Sequence, residues 1–244
     1  MTTLIELPVL PAPINELWHV LLDLGERLTA PWSVIGGQMV LLHVLEHGQT
    51  PPQISQDGDV IADIRADPTA ITAVVTQLEE LEFVLAGVSA EGLAHRYKRD
   101  AEPRPVVIDV LAPEGVGERA SLLTSPPGRT VEVPAGTQAL GRTEVVRIVH
   151  EGRQGRLPRP TLLAAIVGKA AATGLPNPER HYRDLALLLC LVQDPFVLVE
   201  QLTRKDRQRL GRAGGLLDDA HPAWALAPSE IRASGQISYR ILTG

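Results

Sequence analysis

Apolar residues at Ile14, Leu17, Trp18, Leu21, Leu22, Leu24 and Leu28 recur with helical spacing, and they predict a helix over 13–29 that Pro31 ends. Trp32-Ser33-Val34-Ile35 reads as a short buried strand; Gly36-Gly37 interrupts it, and an apolar helix resumes over 38–47. A loop with two prolines leads to a strand over 57–64, carrying Val60, Ile61 and Ile64. Asp67-Pro68 has the form of a helix start, with Asp as N-cap and Pro at the first helical position. Ile71, Val74, Val75, Leu78 and Leu81 then mark the inward face of a helix reaching about residue 82. Short strands are expected over 83–85, 93–98, 105–111, 130–133 and 143–149, with Gly, Pro and charged residues between them. The character changes after about residue 156. Pro158 and Pro160 open a helix through 161–172, Gly174 closes it, Asn177-Pro178 starts another to about 193, and short helices fill 196–220. The expected fold class is α+β: a first lobe, 1–156, with a mixed β-sheet flanked by helices, then a mainly helical lobe, 157–244.

Composition narrows the class. With 244 residues and 44% apolar content the chain can bury one large core or two modest ones. No apolar run reaches the roughly 18 residues of a spanning helix, so no membrane partner is expected. The first residues show neither a basic region nor an apolar run, so no export signal is read there. The single cysteine, Cys190, sits in an apolar run and reads as a small buried hydrophobe, which fits a reducing, cytoplasmic setting.

Charge is unevenly spread. Residues 1–140 carry 8 basic and 19 acidic side chains, whereas residues 141–214 carry 13 basic and 7 acidic. Two solvated surfaces of opposite sign would give this pattern; so would a cation-binding lobe followed by an anion-binding one. Only Lys98, Lys169 and Lys205 are lysines among 23 basic residues, which makes a lysine the unusual choice here.

The acidic half holds the candidate chemistry. On a strand, Asp57 and Asp59 point to one face. Two close carboxylates repel unless a cation neutralises them, and a third acid on a neighbouring strand would complete an oxygen cage. Asp109, in Ile108-Asp109-Val110, is the first candidate for that third metal ligand, and Asp63 competes with it. Such oxygen donors suit Mg²⁺ or Mn²⁺. Gly36-Gly37 before a helix leaves backbone amides uncovered for phosphate, and Lys169 can hold outer phosphates as a point charge. Asp184 lies at i,i+4 from Arg180 in the next helix; Arg180 and Arg183 could contact phosphate or RNA. Arg96 reads as structural, with nucleotide binding as the alternative, and the cluster of Arg204, Lys205, Arg207, Arg209 and Arg212 as a solvated face or an RNA-backbone contact.

The ordered set Ser33-Val34-Ile35-Gly36-Gly37, Asp57-Gly58-Asp59 and Val107-Ile108-Asp109-Val110-Leu111 resembles the nucleotidyltransferase superfamily of DNA polymerase β, kanamycin-type antibiotic transferases and CCA-adding enzymes. The lysine in an alanine-rich helix, followed by Arg180-His181-Tyr182-Arg183-Asp184-Leu185, is similar to the AbiEii/MenT group of nucleotidyltransferase toxins. The likeness spans roughly residues 33–190, with Gly58 standing where that family more often has an apolar residue. It implies a nucleotidyltransferase lobe over 1–156, a metal held by Asp57 and Asp59 with Asp109, and a nucleoside triphosphate as co-substrate. It assigns Gly36, Gly37, Ser55, Lys169 and Arg180 to the nucleotide, and catalysis to Asp57, Asp59, Lys169 and Asp184. Ser55 matches a family Ser/Thr position that is a target of inhibitory phosphorylation in some members. The resemblance further implies transfer to RNA, at a tRNA 3′ end, and a protein antitoxin as partner. A small-molecule transferase of the antibiotic-modifying kind and a non-catalytic binding module with this fold remain the alternative readings.

Overall fold

The N-terminal apolar spacing closes as α1 (Ala12–Arg27), which buries Ile14, Leu17, Trp18, Leu21, Leu22 and Leu24. The computed structural model describes residues 4–116, 122–123 and 128–244. Two compact units emerge: Met1–Met39 with Ile54–Pro160, and Val40–Gln53 with Thr161–Gly244.

In the first unit a six-stranded mixed sheet is built from β2 (Trp32–Ile35), β3 (Gly58–Ala62), β4 (Val84–Leu85), β5 (Arg96–Arg99), β6 (Val106–Pro113) and β7 (Val131–Val133). The order is β2-β3-β6-β5-β4, with β7 pairing the end of β6. β3 and β6 are parallel, and both are nearly continuous apolar runs, as a strand covered on both faces requires. A second sheet has the order β1-β8-β9, from β1 (Leu4–Glu6), β8 (Thr143–His150) and β9 (Arg153–Pro160). α3 (Ala70–Glu80) and the short α4 (Gly136–Leu140) complete the unit, and α2 (Gly36–Glu46) begins in it.

Glycines let α1 approach these strands closely. A Cβ on Gly25 would stand 2.8 Å from Leu157, and one on Gly58 would stand 2.8 Å from Leu17. Gly58 therefore stands between Asp57 and Asp59 because the helix packs directly against the strand there, leaving no volume for a side chain.

The second unit is helical. α5 (Leu162–Ala172) starts at Thr161, whose side chain accepts from the Ala164 amide, and buries nearly its whole circumference. α6 (Glu179–Cys190), α7 (Pro195–Glu200), α8 (Arg204–Leu210), a 3-10 helix (Gly211–Leu217), α9 (Pro222–Ala225) and α10 (Ser229–Thr243) follow. α10 closes on α6 through Gly235, where a Cβ would meet the Cys190 amide at 3.1 Å. Cys190 is a buried free thiol that burial pushes up to about 11, so it is packing rather than nucleophile. Among the described residues no helix is long and apolar enough to cross a membrane.

Three local expectations shift. Asp67 does not cap a helix directly; its Oδ1 accepts from the Thr69 amide at 2.8 Å and hydroxyl at 2.7 Å, and α3 starts at Ala70. Gly36-Gly37 is the first turn of α2 rather than a break before it. Residues 153–160, Arg- and Pro-rich, form β9 at a sheet edge, where the missing amides of Pro158 and Pro160 cost least.

Candidate functional site

Strand register sets the acidic residues side by side. Across adjacent strands the paired positions are Ile35 with Asp59, Asp59 with Asp109, and Asp109 with Arg96. Asp59, Asp109 and Arg96 thus lie abreast on β3, β6 and β5, and Asp57 precedes β3 by one residue. Asp109 is buried, 7% exposed. Arg96 grips it with both arms of its fork: Nε donates to Oδ1 at 2.9 Å and Nη2 to Oδ2 at 2.8 Å. The same Nη2 stands 3.6 Å from Asp57 Oδ2. The bond to Asp109 raises the Arg96 pKa, with the charges of Asp57 and Asp59 adding to it against the opposing effect of burial. Arg96, read from sequence as a structural strand residue, is the cation of this row; its signal was the register, which a single sequence does not display.

The two glycines are shaped by the acids. Gly36 has φ +66°, a left-handed conformation that disfavours a side chain. A Cβ there would overlap the Asp59 carboxylate, reaching 2.6 Å from its Cγ and 2.9 Å from its Cβ. A Cβ on Gly37 would press on Ser55, 2.8 Å from its hydroxyl. Gln38, buried within the first unit, anchors the approach to the acids: its Nε2 donates to the Ser55 carbonyl at 2.8 Å and the Asp57 carbonyl at 3.4 Å. Gln38 escaped notice in the sequence, where its one signal was a polar residue opening an otherwise apolar helix. Ser55 donates its hydroxyl to the Asp57 carbonyl at 3.4 Å. Asp63 is occupied elsewhere: beyond the far end of β3, its Oδ1 accepts from the Arg65 and Ala66 amides at 3.2 Å each.

The remaining candidates lie in the second unit. Lys169 on α5 is 8% exposed, and its Nζ donates to Asp184 Oδ2 on α6 at 2.5 Å. Arg180 is exposed, and its Nε donates to His181 Nε2 at 3.3 Å. His181 is buried; burial first, then the positive charges of Lys169 and Arg180, push its pKa down to about 4 against the pull of Asp184. Arg183 is exposed and donates to Gln53 Oε1 at 3.4 Å. The basic face of α8 is thinner than its sequence implies. Arg209 is buried beside Asp206, while Arg204, Lys205 and Arg207 are exposed, as is Arg212 beyond it.

No protein-family model and no curated protein matches the chain. Among solved structures it is similar to an antigenic nucleotidyltransferase-like protein from Paracoccidioides brasiliensis, at 15% identity and a TM-score of 0.53, over 87% of this chain and 94% of that one. It also aligns with the antibiotic-resistance factor ANT(2'')-Ia at 14% identity over 96% of both chains; the TM-score of 0.37 is too low to carry an argument. The chain has a nucleotidyltransferase-like fold.

Proposed function

We propose that the chain is a metal-dependent nucleotidyltransferase that moves a nucleotide from a triphosphate onto RNA. The observation that carries the reading is the row Asp59–Asp109–Arg96, with Asp57 beside it and Gly36 cleared of any side chain against Asp59.

The donor set fits Mg²⁺. Asp57 and Asp59 offer carboxylate oxygens on one face, the Asp57 side chain is 45% exposed, and Mg²⁺ takes few protein carboxylates while keeping water and substrate phosphates. Asp109 enters differently from the expectation, since both its oxygens already accept from Arg96. When bound, the ion would polarise the α-phosphate and orient the attacking hydroxyl. The chain's own residues do the rest. Arg96 offsets the negative charge of the row, so that a polyanionic nucleotide can approach it. The uncovered amides of Gly36 and Gly37, at the start of the 11-residue α2, suit a phosphate. Lys169, oriented by Asp184, is the residue that the family likeness assigns to the triphosphate, with Arg180 nearby in sequence. The acceptor hydroxyl bonds to the α-phosphorus, the bond to pyrophosphate breaks, and the hydroxyl proton is released.

The finer reading is a toxin of the AbiEii/MenT kind, cytoplasmic, acting on a tRNA 3′ end and held in check by an antitoxin. Its support is the order of motifs and the basic excess over 141–214. The test incubates the protein with total tRNA, Mg²⁺ and each labelled nucleoside triphosphate in turn. Label should enter tRNA from one of them, and Asp59→Ala or removal of Mg²⁺ by chelation should lower transfer at least about a hundredfold, as loss of an electrostatic stabiliser does. No label in any lane overturns the tRNA reading and moves the search to small hydroxylated acceptors.

A further inference from the structure

Away from the acidic row, the turn between β8 and β9 meets α1 at a cluster of a different chemistry. His19 on α1, His150 at the end of β8 and Glu151 in the turn each present a ligand atom, all within 4.8 Å of one another. His150 is 1% exposed, yet among the described residues neither of its ring nitrogens has a hydrogen-bond partner. Leaving such a group without a partner is costly, and it calls for an explanation. The Asn15 backbone lies near enough to favour the ring's proton without reaching hydrogen-bond geometry. Asn15 and His19, one helical turn apart on α1, both reach Glu151 Oε2, at 3.2 and 3.1 Å. The His19 and His150 rings sit 4.9 Å apart.

We propose that His19, His150 and Glu151 form a binding site for a divalent transition-metal ion, zinc foremost. Two imidazoles and one carboxylate are a donor set that zinc accepts and that Mg²⁺ does not prefer. Tetrahedral zinc with bonds of about 2.0–2.1 Å holds its ligand atoms about 3.3 Å apart. The His19–Glu151 separation of 3.1 Å already has that spacing, so only His150 must close in. The two unpartnered nitrogens of the buried His150 ring leave one of them available to a metal.

The backbone is committed to this placement. Glu151 and Gly152 have φ of 49° and 79°, the conformation of a two-residue hairpin turn that favours Asn, Asp or Gly at the first position. A glutamate there is strained, and the strain puts its carboxylate beside the two imidazoles. Three protein ligands leave a fourth position for water, and Glu151 with a half-buried His19 gives the ion a path in from solvent. The bound ion would staple α1 to the β8–β9 hairpin, next to the existing 2.7 Å bond from Arg153 to Asp23.

The test uses the full chain carrying Asp57→Ala and Asp59→Ala, which removes from the acidic row both carboxylates proposed to hold a metal there. After chelator dialysis, zinc is titrated against a competing chromophoric chelator. One zinc per chain should bind, raising the melting temperature. His19→Gln and Glu151→Gln, whose side chains are 30% and 56% exposed, should each weaken binding at least about tenfold, as loss of a metal partner does. His150→Gln should do the same if it folds. A folded chain that takes up no zinc, or unchanged affinity in His19→Gln and Glu151→Gln, overturns the proposal. Neither result depends on nucleotidyl transfer.

Discussion

Substituting Gly36 by alanine separates the two costs that this position carries. The first is conformational: φ of +66° is left-handed, which costs an L-residue about 1–2 kcal/mol. The second is steric, and rotating the Asp59 side chain does not remove it. The new Cβ would sit 2.9 Å from the Asp59 Cβ, an atom fixed by the β3 backbone, where ordinary contact begins at 3.4 Å. β2 and β3 would have to part by roughly half an ångström, a rearrangement of the overpacking kind at about 1–3 kcal/mol. Together the two lower stability by about 2–5 kcal/mol, read as a shift in the urea midpoint by tryptophan fluorescence. The Asp59→Gly background removes the second cost and leaves the first, so a double-mutant cycle should return a coupling of about 1–3 kcal/mol. Gly36→Ala should also lose Mg²⁺-dependent transfer more steeply than stability, because the displaced group is the carboxylate proposed to hold the metal. A cost under about 0.5 kcal/mol, the size of an ordinary surface change, or the same cost in both backgrounds, would refute the reading.

Asp184→Asn leaves Lys169 buried beside Arg180 and His181 without its counter-charge, and should cost about 1.5–2 kcal/mol, the low end for a charged hydrogen bond because Asp184 is 31% exposed. Urea unfolding checks it, and Lys169→Met combined with Asp184→Leu should cost less than Asp184→Asn plus Lys169→Met taken separately. His181 titrates near 4 in the fold against about 6.5 unfolded, so the unfolded chain binds more protons between those values. Its contribution is complete above pH 6.5 and is lost as pH falls toward 4; between pH 7.5 and 5 the chain should lose about 2 kcal/mol more than His181→Gln does. A His181 ring proton resonance that moves between pH 8 and 6 would contradict this.

What the sequence displays is what local pattern can encode. α1, β3, β6, α5 and α6 are legible because a core-facing element repeats its apolar positions. β1, three residues long, and α10, with a polar majority, carry too little periodic signal, and their places depend on partners far along the chain. β9 reads as a helix approach because its prolines and arginines suit an edge strand as well as a linker. The site divides in the same way. Asp57, Asp59 and Asp109 stand out through spacing and strand phase. The close contacts that Gly36, Gly37 and Gly58 make room for, with Asp59, Ser55 and Leu17, stay hidden, because a single sequence does not show which neighbour a glycine accommodates. Arg96 stays hidden because its partner lies 13 residues on and is found only through the β5–β6 register.

Arg96 changes how the acidic row is understood. Asp109 is nearly closed from water, and a carboxylate in that position needs a cation or a full set of donors. Arg96 supplies both from within the fold, in the planar bidentate form that a lysine could not reproduce. Without Asp109, Arg96 would keep a guanidinium 49% exposed to water, whereas without Arg96 the buried Asp109 carboxylate would be left uncompensated. The asymmetry orders the roles. On the proposed function, Asp57 and Asp59, the less buried pair, are the acids that would take an incoming ion and its phosphates. Asp109 is the acid that fixes Arg96 at the rim, with its Nη2 already 3.6 Å from Asp57. In the proposed site, two carboxylates beside one guanidinium would take a divalent cation and the phosphates it brings, because each positive centre would face a negative one on both sides.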